Sequence, residues 1–332
     1  MDLYLSDIIV GLQNGFEGKT KVGINLLKNS FYDLCIKVNG GVKSTPIFFE
    51  GKEIFLKEIP YSILFGIKTL ISNSCLINFK NLVDDIKTLK NLNISTNNLY
   101  ISKNVQIIQA QHLSENRRNG LNDKYFSTYR DKYNKLGITV DEIDYLDMIK
   151  YLDNNIVTKI DTIDLITKSK KILLYQFYSF NYDIDWGLYN KSKSIHSNAG
   201  FCCTLVSPNL VNNIYGISSI YDICFENYDN IVCCDDLKKI ENFENNICKD
   251  RTIFCNWLNL DNLLRSLKIN NVSILIFTRC DVLINIHVYK LYHNNKLIEF
   301  KNWKEFNKYL GNEINKVCNL NEINYSCSKI NL

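Results

Sequence analysis

The chain is expected to fold as an α/β protein with a mostly parallel central sheet flanked by helices, and three observations carry that expectation. Apolar runs of strand length recur along it, at Asp7 to Leu12, Lys171 to Tyr175 and Val272 to Thr278; strands buried on both faces read this way. Stretches with apolar residues at helical spacing lie between them, as at Leu76 to Leu92, and strands alternating with helices build parallel crossover units. No repeat, low-complexity tract or Pro/Ser linker divides the 332 residues, so one domain over 1–332 is the expectation.

In chain order, Asp7 to Leu12 is a strand interrupted at Gly11, followed by a polar glycine loop to Lys21 and a helical Val22 to Leu27. Tyr32 to Val38 reads as the next strand, with Asn39-Gly40-Gly41 as its turn. Ile47 to Phe49 and Glu53 to Leu56, joined through Glu50-Gly51-Lys52, read as a hairpin. Leu76, Phe79, Leu82, Val83, Ile86 and Leu89 share one side of an amphipathic helix over Leu76 to Leu92. Leu99 to Ser102 and Val105 to Ile108 are short strands. Asp141 to Thr167 alternates acidic and aliphatic residues as a solvated helical layer does. Lys171 to Tyr175 and Val272 to Thr278 are buried-type strands, the latter closed by Arg279-Cys280-Asp281, and His287 to Tyr292 follows as another.

Composition removes several function classes. Lys+Arg exceed Asp+Glu by 39 − 35 = 4, interspersed along the chain, so no charge footprint argues for nucleic acid or an anionic membrane. Apolar runs such as Val272 to Phe277 fall far short of a membrane span, and Met1 to Gly11 lacks a basic, cleavable leader; a cytoplasmic protein is expected. The twelve cysteines contain no CxxC pair, Cys202-Cys203 and Cys233-Cys234 are adjacent, and His112, His196, His287 and His293 form no ligand cluster. Buried free thiols are the expectation, with no structural zinc and no disulfide framework. Asn, Ile and Lys are abundant beside 14 Gly and 3 Pro, a composition an AT-rich genome encodes, which points to a fast-drifting lineage, viral or protist.

Two segments have chemistry in reach. Gly11 to Lys21, between strand and helix, includes Gly15, Glu17, Gly18, Lys19 and Thr20; such a loop offers backbone N–H groups, a helix N-terminus and a compact positive charge to phosphate. It is not a strict Walker loop, since Gln13 stands six residues before Lys19, and an ordinary glycine turn fits equally. Thr278-Arg279-Cys280-Asp281 closes an apolar strand, where ligands of open α/β sheets bind and an Asp can accept two N–H bonds from a guanine edge. Alone, that Asp reads more often as a turn or cap residue than as a ligand contact.

Together the segments resemble the adenylosuccinate synthetase family, the GTP-dependent ligases that join aspartate to IMP, and the compact phage relatives acting on deoxyguanylate. Ile9 to Lys19 resembles the family opening V-x-G-x-Q-W-G-D-E-G-K. Tyr32 to Gly41, Glu50-Gly51-Lys52, Ile59-Pro60 and Ser62-Ile63-Leu64 follow R-x-x-G-G, D-G-K and I-P-S-G-I-L. Tyr129-Arg130-Asp131-Lys132 is similar to A-Y-x-D-K, Asp183 to Tyr189 to D-I-D-x-G-T-Y, Trp257-Leu258 to G-W-L-D, and Thr278 to Leu283 to T-K-L-D-V-L.

The resemblance implies a P-loop-like, GTPase-related fold with nucleotide-side elements at 7–64 and 270–292 and a divergent substrate-loop region at 110–260. It implies phosphate contacts from Gly15, Glu17, Gly18, Lys19 and Thr20, guanine contacts from Thr278, Arg279 and Asp281, and a homodimer. The departures are as informative. The family aspartate that takes the IMP proton and holds magnesium is here Phe16, which can do neither. The family histidine aligns with Thr45, which has no useful pKa. The nucleotide-gripping G-A-Q-G becomes Gln176-Phe177-Tyr178-Ser179, and the arginine-rich aspartate loop shrinks to Lys249-Asp250-Arg251. No catalytic residue and no metal ligand is assigned. The implied protein is an inactive relative serving as a binding or scaffold protein, with purine nucleotide, a second copy or another protein as partner, and GTP and magnesium as cofactors only if nucleotide binding is retained. The alternative is a divergent active ligase on IMP or a dGMP-like nucleotide, with Glu17 or His196 recruited.

Overall fold

A computed structural model describes residues 5–40, 45–118, 125–143, 158–189, 191–224, 235–247 and 253–326. Its elements in order are β1 (Leu5–Gly11), α1 (Lys19–Asn29), β2 (Leu34–Lys37), β3 (Thr45–Phe49), β4 (Lys52–Leu56), β5 (Lys68–Ile71), β6 (Leu76–Ile77), α2 (Phe79–Asn91), β7 (Leu99–Ser102), β8 (Gln106–Ile107), α3 (Ala110–Arg118), α4 (Phe126–Tyr133) and β9 (Thr158–Ile160). Then come α5 (Thr162–Thr167), β10 (Lys171–Ser179), α6 (Ala199–Cys202), β11 (Val211–Ser219), β12 (Tyr221–Cys224), α7 (Asp235–Ile247), β13 (Phe254–Asn259), α8 (Leu260–Asn270), β14 (Ile274–Thr278), α9 (Cys280–Ile286), β15 (Tyr289–His293), β16 (Lys296–Phe300), α10 (Trp303–Val317) and β17 (Glu322–Tyr325).

The central sheet has nine strands in the order β17-β14-β11-β1-β10-β2-β5-β7-β9, and every pairing in it is parallel. From β1 the chain walks outward through β2, β5 and β7 to the β9 edge. It then returns to thread β10 between β1 and β2, and walks the other way through β11 and β14 to β17. This reversal puts the carboxyl ends of β1, β10, β11 and β14 side by side, the place where open α/β sheets take their ligands. Gly11 lies in register with Ser179 of β10 on one side and Ile217 of β11 on the other.

Successive β1 residues feed opposite cores, as a two-residue repeat requires. Ile8 and Val10 join the cluster that also holds Trp257, Leu263, Phe277 and Phe306, while Ile9 joins the one holding Ile24, Leu27, Ile86 and Leu173. With both faces covered, an unbroken apolar run is what β1 needs. The helix over α2 buries Leu82, Val83, Ile86 and Leu89. It starts later than its periodicity predicts: Asn78 caps it by accepting the Asn81 N–H, and Leu76–Ile77 pair with Gln106–Ile107 as strands. The solvated helical layer expected over Asp141 to Thr167 is corrected too. Thr158–Ile160 pair with Tyr100–Ser102 as an edge strand, which β-branched residues favour, and Asp161 caps a helix of only Thr162–Thr167; residues 144–157 lie outside the described residues. His287, with φ +54, ends α9, so the strand after it begins at Tyr289. Among the described residues no helix is long and apolar enough to cross a membrane. Cys35, Cys75, Cys202, Cys224, Cys255 and Cys280 are buried free thiols, as expected.

Candidate functional site

The loop between β1 and α1 turns over glycine and packs against itself. Gly18 caps α1 with φ +89, and Gly15 has φ +96, conformations glycine adopts without steric cost. At Gly11 a Cβ would stand 2.5 Å from Lys19 Nζ, 2.6 Å from Ser179 Oγ and 2.8 Å from Glu17 Oε2, so only glycine lets these three groups converge over the strand end. Phe16 takes φ +62, an uncommon backbone state for a bulky residue, and its partly buried ring packs against the larger core.

Glu17 is the centre of the arrangement. Its Oε1 accepts the Gln13 N–H at 3.1 Å and the Gly15 N–H at 2.9 Å. Its Oε2 accepts from Lys19 Nζ at 3.0 Å and Ser179 Oγ at 2.9 Å. Burial works to raise its pKa, but the Lys19 ammonium and the hydrogen bonds outweigh it and hold the carboxyl below its ordinary value. Thr20 Oγ1 shares a hydrogen bond with the Tyr175 hydroxyl at 3.0 Å.

The fold brings the second sequence segment onto this loop. Thr278 Oγ1 donates to the Glu17 carbonyl at 2.7 Å, and Arg279 Nη1 donates to the Phe16 carbonyl. Arg279, at φ +61, also pairs through Nε with Glu244 Oε1 at 2.6 Å, and the same oxygen accepts the Tyr221 hydroxyl. Thr278 and Arg279 thus bind the loop between β1 and α1, while Asp281 lies in the first turn of α9.

Beside the loop is a cavity of about 190 Å³ lined by Gln13, Asn14, Asn181, Asp222, Asn256 and Asn259, among others. Asp222 Oδ1 accepts from Gln13 Nε2 at 2.7 Å and its Oδ2 from the Asn259 N–H at 3.3 Å. Burial pushes its carboxyl up to about 7; the two donors offset this only in part, and the Glu17 charge adds to it. Sequence reasoning gave Asp222 no role. A lone acid two residues before a cysteine has no motif to mark it, and its cavity brings the loop after β1 and Asn181 together with β12, β13 and α8, which the sequence separates widely.

The remaining sequence-derived positions divide. Gln176 is fully buried and spent internally: its Oε1 accepts from Asn39 Nδ2 at 2.7 Å, and its Nε2 donates to the Asn198 carbonyl. Phe177 packs against the core that holds Ile9 and Ile24, with Lys37 Nζ 5.4 Å from its ring centre. Thr45 opens β3, paired with Leu56. Arg251 lies outside the described residues. Although the histidines are scattered in sequence, His196 meets Asp183 and Asp185 in space. The Asp183 carboxylate is already engaged by the N–H groups of Asp185, Trp186 and Ser197 and by Asn198 Nδ2, so it serves as a loop brace.

A parallel sheet wound in both directions from a central strand, with a glycine loop and a lysine-led helix at its switch point, defines a doubly wound α/β protein. Comparison with known proteins narrows this. A family model described as adenylosuccinate synthetase matches residues 8–143. The chain is 26% identical over 342 residues to an adenylosuccinate synthetase of Halothermothrix orenii, covering 86% of this chain and 79% of that protein. It is also 26% identical over 336 residues to the one from Chlorobium chlorochromatii, covering 84% and 77%. In fold it is similar to a fully ligated adenylosuccinate synthetase from Plasmodium falciparum, with a TM-score of 0.74 at 18% identity over 97% of this chain and 96% of the other. It is likewise similar to a cyanophage S-2L succinoaminodeoxyadenylate synthetase bound to dGMP and dATP, with a TM-score of 0.69 at 13% identity over 94% and 99%. The chain is thus similar to adenylosuccinate synthetases both in sequence and in fold.

Proposed function

We propose that this chain is a catalytically inactive adenylosuccinate synthetase-like protein that acts by binding, with a purine nucleotide, a second copy of itself or another protein as its partner. The observation that carries this reading is Phe16, whose partly buried ring packs against the larger core at the position where the family has its proton- and magnesium-handling aspartate. The magnesium that the family implies does not fit the loop as it stands. Each Glu17 oxygen already accepts two donors, and the neighbouring Phe16 offers no oxygen on its side chain. Phosphoryl transfer relies on positioned metal and donors, so losing these weighs more than losing one proton-transfer group, which costs about 10²–10⁴-fold. Gln176 supports the same reading, because its amide is committed to Asn39 and Asn198.

One observation favours the alternative, a divergent ligase in purine nucleotide biosynthesis using IMP or a dGMP-like nucleotide. The polar cavity beside the loop carries Asp222, whose carboxyl sits near 7, the range a general acid or base needs. A coupled assay with GTP, magnesium, aspartate and either IMP or dGMP decides between them. The inactive reading expects no phosphate release above buffer, and turnover within about 10³-fold of ordinary ligases, lost in Asp222→Asn, would establish the alternative.

A further inference from the structure

We propose that the cavity beside the loop is a binding site for a small aminated nitrogen heterocycle, uncharged or cationic, which Asp222 and the surrounding carboxamides recognise by its hydrogen-bonding edge. The proposal stands apart from whether the chain turns over. At about 190 Å³ the cavity far exceeds the space one ordered water needs, roughly 10–15 Å³. Its walls also depart from the motifs that the sequence otherwise follows. Asn14 stands at the tryptophan of Q-W-G-D-E-G-K, and Asn256 and Asn259 flank Trp257-Leu258 at the glycine and aspartate of G-W-L-D. A carboxamide in place of an indole leaves room, so this opening is particular to the chain.

The groups left open in the cavity define the ligand. Asp222 and Asn256 face each other across β12 and β13, and side chains so paired are near neighbours. An ionised carboxylate offers about four acceptor positions, of which Asp222 spends one on Gln13 Nε2 at 2.7 Å and one on the Asn259 N–H at 3.3 Å. Asn256 Oδ1 accepts the Trp257 N–H at 2.8 Å and Asn259 Oδ1 accepts the Asn262 N–H at 3.0 Å, which leaves both Nδ2 groups as open donors. Asn181 donates to Asn14 Oδ1 at 3.0 Å, so its own Oδ1 remains an acceptor. An amino group beside a ring nitrogen matches this wall: the amino group donates to Asp222 while the ring nitrogen accepts from Asn256. Where the ring nitrogen is protonated, both groups donate to the two Asp222 oxygens, a charge-assisted fork. Among the described residues no Lys, Arg or His lines the cavity, so a carboxylate or phosphate would meet Asp222 without a countercharge. Leu12, Leu188 and Leu263 supply apolar surface for the ring.

2-Aminopyridine, which carries this edge on one ring, is the probe; picolinate, the same ring with a carboxylate in place of the amino group, is its control. Calorimetry on the full chain, without GTP, magnesium or aspartate, is expected to give a Kd below about 1 mM for 2-aminopyridine and at least about tenfold weaker binding of picolinate. Asp222→Asn, which keeps the shape and loses the charge, should weaken 2-aminopyridine at least about tenfold, and Asn14→Trp, which fills the space, should abolish its binding. No heat at about 10 mM 2-aminopyridine, equal binding of picolinate, or folded variants that bind as the wild type does overturns the proposal. Should the variants fail to fold, the side-chain amide resonances of Asn256 and Asn259 in the wild type decide: their movement on adding 2-aminopyridine supports the site, and resonances unmoved at about 10 mM overturn it. Ligase turnover by a chain whose cavity binds the probe would sink the inactive reading alone, and a probe-blind cavity in a chain without turnover would sink this proposal alone.

Discussion

Glu17 and Asp222 are two acids that both meet Gln13, and their pKa values move in opposite directions from the ordinary carboxyl range. Both carboxyls suffer burial. Glu17 has an ammonium at 3.0 Å and four donors in all, and it falls below its ordinary value. Asp222 has an amide side chain and one long backbone bond, without a cation among the described residues that touch it, and it rises to about 7. Burial alone therefore decides little; the nature of the partner settles whether a buried acid is a fixed anion or a group poised near neutrality.

The largest test removes the cation. Lys19→Met leaves Glu17 buried and unpaired, so denaturant unfolding should show a loss of about 3–5 kcal/mol, and a loss under about 1 kcal/mol would mean that the amides alone suffice. Next is the space in which the pair meets. Gly11→Ala forces a methyl group to within 2.5 Å of Lys19 Nζ and should cost about 1–3 kcal/mol, read as a lower melting temperature.

The third prediction uses pH, and the two acids carry opposite signs. With its carboxyl raised to about 7, Asp222 in the folded chain keeps a proton that the unfolded chain has released, so its contribution is complete below its ordinary value and is lost as pH rises through about 7. Asp222→Asn should flatten that fall, by about 1–2 kcal/mol for a side chain bordering a cavity. Glu17, held low, stabilises above its ordinary value and loses its contribution as pH falls, so the Asp222 variant should keep its acid-side decline. The smallest effect belongs to Arg279→Lys. Lysine can still pair with Glu244 but cannot fork to the Phe16 carbonyl as well, and the expected loss is about 1 kcal/mol with faster amide exchange across Gly15 to Gly18.

Much of this was legible before the fold. The runs at Asp7 to Leu12, Lys171 to Tyr175 and Val272 to Thr278 became β1, β10 and β14 because strands buried on both faces must be apolar without interruption. Glu50-Gly51, with φ +49 and +74, turned the hairpin where its glycine signalled. Other elements escaped. The short strands β6 and β9 depend on partners distant in sequence, Gln106–Ile107 and Tyr100–Ser102, and local periodicity cannot see a partner. The glycine-marked loop takes positive φ at Gly15 and Gly18, whereas nothing in the sequence showed that Glu17 would accept the loop's own donors.

The order of residues by itself determined which segments could be strands and where glycine freed the backbone, since these follow from side-chain polarity and steric bulk within a few positions. Only the tertiary structure decided that β10 threads between β1 and β2, bringing Ser179 to the end of β1 so that one carboxylate, one ammonium and one hydroxyl close on each other. The reason is physical: propensity acts over neighbouring residues, while the charge state of a buried group is set by whatever chain folding delivers to within about 4 Å of it.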